Sequence, residues 1–499
     1  MSYVGYMQFA AELSDVWGYV DEQGNEYAIV GRQNGVSIVD VTDPSNMTTV
    51  FGIPGLQTTW RDIKTFGDYA YVTCECYNGL LIIDMSPLPE NTSLSYTFWY
   101  GDTLTFQSAH NLFIDENGFA YIFGANLQEG GAVILDLNVN PMDPKVVGLY
   151  NDHYLHDGVV RGDTLWGAAI NIGEAQMIDV SDKENPMLLT SWKTPNAFTH
   201  NLWFSDDNRF LFTTDEVRNG AIGAYDVSNP FNPTRIDVWM PNDTGIIPHN
   251  THFINDFLVT SHYTIGVSIL DVSRPHNMVE VARYDTSPDY HYEGFSGCWG
   301  VYPWLPSGNI IATDIEKGLY VLSSTYPRAC YLEGKVTDEH TGGPIFFPLI
   351  EVFEDDLSTE GSIVGDYAMG TLNAGTYTVK VSADGYYDKI IENVVLNNGE
   401  LTQLDVELSN WPTGLEGTTA ENELTVFPNP ARDAITVVAK SSILSSALRG
   451  LDGRLIGLNA TPLHHNTCQL DVSNVAAGLY TLELITERGV VSKPLSVVN

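Results

Sequence analysis

The sequence predicts an all-β protein: a seven-bladed β-propeller followed by two small β-sandwich domains. Three observations lead there. A phrase of the form Gly–apolar–x–apolar–Asp recurs through the first two-thirds of the 499 residues, most copies run into a turn rich in Asp, Pro and Asn, and past Pro327 the repeat gives way to short alternating strands with glycine turns. A period of 40–50 residues holds four strands and their turns, the size of one propeller blade.

The phrase reads GVSIVDV (35–41), GLLIIDM (79–85), GAVILDL (131–137), EAQMIDV (174–180), AIGAYDV (221–227) and GVSILDV (266–272), with a last copy, GLYVLSS (318–324), lacking the acid. Asp40, Asp84, Asp136, Asp179, Asp226 and Asp271 stand 44, 52, 43, 47 and 45 residues apart. An apolar strand such as YAYVTCE (69–75) or FAYIFGA (119–125) precedes each phrase. VTDPSN, VSDKENP, VSNPFNP and VSRPHN follow it, and such residues end strands and open turns, which the phrase's Asp is expected to cap. Inner strands begin at DVWG (15–18), WRDI (60–63), AHNL (109–112), LHDG (155–158), THNL (199–202), PHNT (248–251) and CWGV (298–301). The seventh unit has only three strands. VGYMQF (4–9) supplies the fourth, closing the ring and leaving no free sheet edge at the join.

Composition narrows the function. With 23 Lys+Arg against 63 Asp+Glu, the formal net charge is −40, a field that repels phosphate backbones and excludes nucleic acid as a partner. No apolar run approaches the ~20 residues of a membrane span. The opening MSYVGYMQFAAEL has no basic segment followed by an apolar stretch, so no signal peptide is visible in it. The five cysteines form no disulfide framework and no zinc-type C-x-x-C pair. Cys74 and Cys76 are expected on one side of one strand, too close along the chain for an easy bridge.

The repeat resembles the LVIVD type of propeller blade. DVWGYVDEQGNEYAIVGRQNGVSIVDVTDP (15–44), WRDIKTFGDYAYV (60–72), THNLWFSDDNRF (199–210) and WGVYPWLPSGNIIATDIEKGLYVL (299–322) resemble the choice-of-anchor B group of surface propellers. GKVTDEHTGGPI (334–345) and LNAGTYTVKVSADGYY (372–387) resemble the carboxypeptidase-regulatory-like sandwich, which implies a spacer or a ligand-binding module. FPNP (427–430), LDGRLI (451–456), LDVSNVAAGLYTLEL (470–484) and SKPLSVV (492–498) resemble the C-terminal sorting domain of the Bacteroidota type IX secretion system. That resemblance implies an extracellular or outer-surface location, with the secretion machinery as partner of residues 424–499. The expected boundaries are 1–326 for the propeller, 328–410 for the first sandwich, 411–423 for a linker and 424–499 for the sorting domain.

The repeat also locates the candidate site. Inner-strand starts and second-strand ends surround one mouth of a propeller's channel. The starts bring Trp17, Arg61, Asp62, Asn111, Asp157, Asn201, Asn250 and Trp299 there as candidate ligand-binding residues. His110, His156, His200 and His249 occupy equivalent positions of four consecutive blades, an arc that His252 and His262 extend. The second-strand ends add Arg32, Glu75, Asn126, Asn171, Asp215, Glu216 and Asp314. Imidazoles converging with carboxylates suit a divalent transition metal, and a His–Asp pair such as His156 with Asp157 or Asp62 suits a general base. Three readings stay open: structural stitching between blades, a non-catalytic site for an extracellular ligand or metal, and a metal-dependent hydrolase or oxidoreductase. No catalytic motif accompanies the arc. Trp60, Trp192, Trp203 and Trp304 read as packing residues, and His464 and His465 as solvated.

Overall fold

A computed structural model describes residues 1–289, 294–410, 424–450, 454–458, 460–464, 466–486 and 489–498. The expected linker, His465 and the first three residues of LDGRLI lie outside the described residues. Two compact units emerge, Met1–Ser409 and Asn410–Asn499.

Residues 2–323 form four-stranded antiparallel sheets, seven among the described residues, in a propeller-like arrangement. Each repeat phrase is the third strand of its sheet. Gly35–Asp40, Ala132–Asp136 and Gly266–Asp271 are buried nearly throughout, because sheets packed face to face cover both sides of such a strand, which explains its continuous apolar run. One core cluster runs across three neighbouring sheets, from Phe113 and Tyr121 through Trp166 and Met177 to Phe204 and Tyr225. The phrase's aspartates cap the following turns. Asp40, Asp84, Asp136, Asp179, Asp226 and Asp271 each accept the backbone N–H two residues on, at 2.8–3.0 Å. Ser2–Gln8 pairs antiparallel with Gly318–Ser323, so the N-terminal strand completes the last sheet.

Some of the inner strands carry a local irregularity at their starts. Pairing shifts by a residue between Thr199 and Asn201 and between Cys298 and Gly300. A bulge of this kind re-aims consecutive side chains, and it falls where the candidate residues stand. Gly297 permits the approach to the last inner strand: its φ is +101°, and a Cβ there would lie 2.2 Å from the Tyr263 carbonyl oxygen.

Residues 330–408 form two four-stranded sheets around Leu332, Val336, Ile350, Val379 and Val381. This sandwich is docked on the turn after Asp271. Arg274 donates twice to Glu333 at 2.7 Å, Asn277 bonds Glu333 and the Met369 carbonyl, and buried Asp271 accepts from Arg328 and the Ala329 N–H.

The second unit is a further pair of four-stranded sheets around Ile435, Val437, Leu448, Leu470, Leu482 and Leu495. Its FPNP segment is tied to the closing strand, since Asn429 donates to the Pro494 carbonyl and accepts the Ser496 N–H. His464 is exposed. Among the described residues, no helix is long and apolar enough to cross a membrane.

One expectation fails. Cys74 and Cys76 form a disulfide, with Cα atoms 5.1 Å apart. The strand of this sheet ends at Val72, so both cysteines lie past it, where the chain bends from residue 75 and their Cα atoms come within bridging distance. Cys298, Cys330 and Cys468 are buried free thiols.

Candidate functional site at the channel mouth

The four histidines do meet. Each stands at the start of an inner strand, and successive sheets bring their mutually tilted rings to centroid distances of 3.8 Å (His110–His156), 4.6 Å (His156–His200) and 4.4 Å (His200–His249). Together with Glu75, Glu216, Trp60, Phe295 and Trp299 they line a cavity of about 300 Å³. Trp60 stacks on Trp299, forming an aromatic wall beside the imidazoles.

The surrounding fold holds the rings by one nitrogen. His249 Nδ1 lies 2.7 Å from the Trp299 carbonyl oxygen. A carbonyl only accepts, so Nδ1 carries the hydrogen and the Nε2 lone pair of the neutral ring is free. His110 Nδ1 contacts Glu75 at 2.8 Å, and His156 Nδ1 lies 3.4 Å from the Tyr154 hydroxyl. His200 Nε2 and His249 Nε2 converge on Glu216, at 3.6 and 3.9 Å. The Tyr263 hydroxyl donates to that carboxylate at 2.5 Å. Among the described residues the donors form two overlapping triads, His110/His156/His200 and His200/Glu216/His249, each within 4.8 Å, and His200 belongs to both. Its Nδ1 is buried without a hydrogen-bond partner.

Electrostatics keep most of the cluster uncharged. Burial, then the neighbouring imidazoles, pushes His156, His200 and His249 well below the usual histidine value. Burial alone would also lower His110, but its bond to Glu75 and that residue's charge raise it. Glu216 is pushed up to about 7 by burial, against the opposing effects of the Tyr263 hydroxyl and His110. Neutral imidazoles with free lone pairs are what metal coordination requires.

Of the eight expected ligand-binding residues, only Trp299 lines the cavity. Asn111, Asp157, Asn201 and Asn250 follow the mouth histidines by one position, Asp62 follows Trp60 by two, and all five are buried and do not line the cavity. Asn201 donates to Asp157 at 2.8 Å and accepts the Thr251 N–H. Lys64, which the sequence reading missed, bonds Asp62 at 2.5 Å and lies 3.7 Å from Asp15. Burial raises Asp157 to about 6, with the Asp62 charge adding to it. Burial and mutual repulsion raise Asp15, and burial also raises Asp62. Asp157 therefore bonds within the channel and does not pair with His156 as a base. Arg61 donates to the backbone carbonyls of Arg32 and Leu56, a stitching role.

Trp17 lies further along its strand, in an aromatic plug with His252, Tyr302 and Trp304 and with the Lys64 ammonium 4.4 Å from its ring. His252 thus packs against tryptophans and does not extend the arc. His262 packs on Trp239 and is likewise outside it. Asp215 and Asp314 cap neighbouring loops through Thr194, Phe198, Thr286 and Ser287. Trp192 packs in the core as expected, whereas Trp60 lines the cavity. Its position beside Arg61 and Asp62, at the inner-strand start equivalent to those of the histidines, was the signal available for it.

Comparisons with known proteins agree with the organisation. LVIVD repeats match residues 23–53, 59–94 and 265–286, a carboxypeptidase regulatory-like domain matches 331–409, and a secretion system C-terminal sorting domain matches 425–498. The chain thus carries LVIVD repeats, a carboxypeptidase regulatory-like domain and a type IX sorting domain. Among curated proteins none matches the chain. Solved structures similar to it include the β-propeller domain of Cps50 (Swd1) from Myceliophteria thermophila, at 15% identity and TM-score 0.47, covering 65% of this chain and 99% of that one. The computationally designed Ika8 protein is similar at 8% identity and TM-score 0.43, covering 65% and 100%.

Proposed function

We propose that this is a cell-surface or secreted binding protein whose propeller holds a transition metal at the channel mouth through His110, His156, His200, His249 and Glu216. The sorting domain implies export to the surface or the medium. In this reading residues 1–326 form one closed seven-bladed ring, 328–410 a docked spacer and 424–499 the address read by the secretion machinery.

The observation that carries the proposal is the anchoring of His249 and His110 by Nδ1, to a carbonyl and to a carboxylate, which leaves Nε2 for the cavity. Metal-bound histidines characteristically have this outer partner, which fixes tautomer and ring orientation. Nitrogen-rich donors select zinc or copper over calcium or magnesium. Trp60, Phe295 and Trp299 line the same cavity of about 300 Å³, which has room for a ligand beside the histidines, and that room favours a second reading, a metal-dependent enzyme, over a closed structural site.

Calorimetric titration of the chelator-stripped full chain with Zn²⁺ and Cu²⁺ tests the proposal. Saturable binding of one or two ions per chain, weakened by His249→Ala and His110→Ala, is expected. No saturable binding of either ion would overturn it.

A further inference from the structure

A second cavity, of about 650 Å³, opens where the inner strand Asp157–Arg161 ends. His156 starts that same strand, and five residues of extended chain separate the two sites by roughly 17 Å. Phe113, Trp166, Met177 and Phe204 form the cavity's apolar walls, and Arg161 lies among them. Its guanidinium sits 5.7–5.9 Å from the ring centres of Phe113, Trp203 and Phe204.

Arg161 is under-used by the protein. Its single hydrogen bond among the described residues runs from Nη1 to the Val160 carbonyl at 2.9 Å, and no carboxylate there pairs with it. Arg209, Arg274, Arg283 and Arg328, by contrast, all have acidic partners. Arg161 is half-buried and lines the cavity, and none of its nitrogens is sealed off without a partner. Burial lowers its pKa against the smaller opposing attraction of Glu116 and Asp206, neither of which forms an ion pair with it, and a guanidinium stays charged. A desolvated, unpaired cation is costly, and an anion seated on its fork would relieve that cost through two charge-assisted hydrogen bonds.

The geometry points to a binding site for a monoanionic small molecule with an apolar or aromatic body, its carboxylate or equivalent acid on Arg161 and its body against Trp166, Met177 and Phe204. A polyanion is disfavoured, because Glu116 lines the same cavity and the chain's charge is −40. The volume falls in the range of small-molecule sites.

The test uses the full chain and the fluorescent probe 1-anilinonaphthalene-8-sulfonate, with its uncharged analogue N-phenyl-1-naphthylamine as comparison. The sulfonate is expected to bind saturably at one site. Arg161→Met should weaken it at least tenfold, and Arg161→Lys, which keeps the charge and loses the fork, by less. The uncharged analogue should bind more weakly than the sulfonate and be indifferent to Arg161, and His200→Ala should leave probe binding unchanged. Should Arg161→Met fail to fold, Arg161→Lys against the uncharged analogue still decides. Absence of saturable binding, or equal affinity in wild type and both Arg161 variants, would overturn the proposal.

Discussion

Replacing Glu75 by Gln separates a metal-orienting role from simple stitching. Glu75 accepts the His110 Nδ1–H at 2.8 Å, and its side chain is 40% exposed. An ion pair that open is screened, so its loss should cost the fold no more than about 1 kcal/mol and move the melting temperature only a few degrees at most. Its effect on a bound ion is larger. Outer partners of metal-binding histidines contribute about 10–100-fold in affinity, or roughly 1.4–2.7 kcal/mol. Paired measurements on wild type and Glu75→Gln, metal calorimetry and thermal melting of the apo form, should show weakened binding with nearly unchanged melting. A large fall in melting temperature with unchanged metal affinity would refute the reasoning and assign Glu75 and His110 to stitching.

Glu333 gives a pH dependence. Burial alone would raise its pKa, but the bonds from Arg274 and Asn277 hold it below the ordinary value, so its stabilisation is present above the unfolded value of about 4.3 and disappears as pH falls through the lower folded one. Denaturant titrations between pH 7 and 3 should show that loss in wild type and not in Glu333→Gln, and an identical pH profile in both would contradict the assignment. Thiol titration of the unfolded chain should find three reactive cysteines before reduction and five after, as the Cys74–Cys76 bridge requires, whereas five before reduction would exclude the bridge. Truncation after Ser409 should leave melting and metal stoichiometry unchanged, since Met1–Ser409 is a compact unit, and aggregation or loss of binding would show otherwise.

Much of the fold was legible because its signals are local. The capping Asp of each phrase, the apolar third strand and the N-terminal strand that closes the last sheet follow from turn chemistry and period. The histidine arc was legible for the same reason: equivalent positions in a repeat occupy equivalent places on the rim. What escaped depends on depth and bend. Period alone does not say how far each inner strand carries its side chains past the mouth, so Trp17, Asp62 and Asn201 were placed a layer too high. Lys64, buried among Asp15, Asp62 and the Trp17 ring, carried no repeat signal. The Cys74–Cys76 bridge was missed because the strand ends at Val72, four residues before the extended reading required.

Anomalous diffraction at the zinc or copper edge, on crystals of the full chain grown with the ion, tests the central claim most directly. A peak about 2.0–2.1 Å from His200 Nε2 or Nδ1 is expected, shared with His110 and His156 or with Glu216 and His249, and absent in His200→Ala. A mouth with no peak, or a peak that persists in His200→Ala, would contradict it.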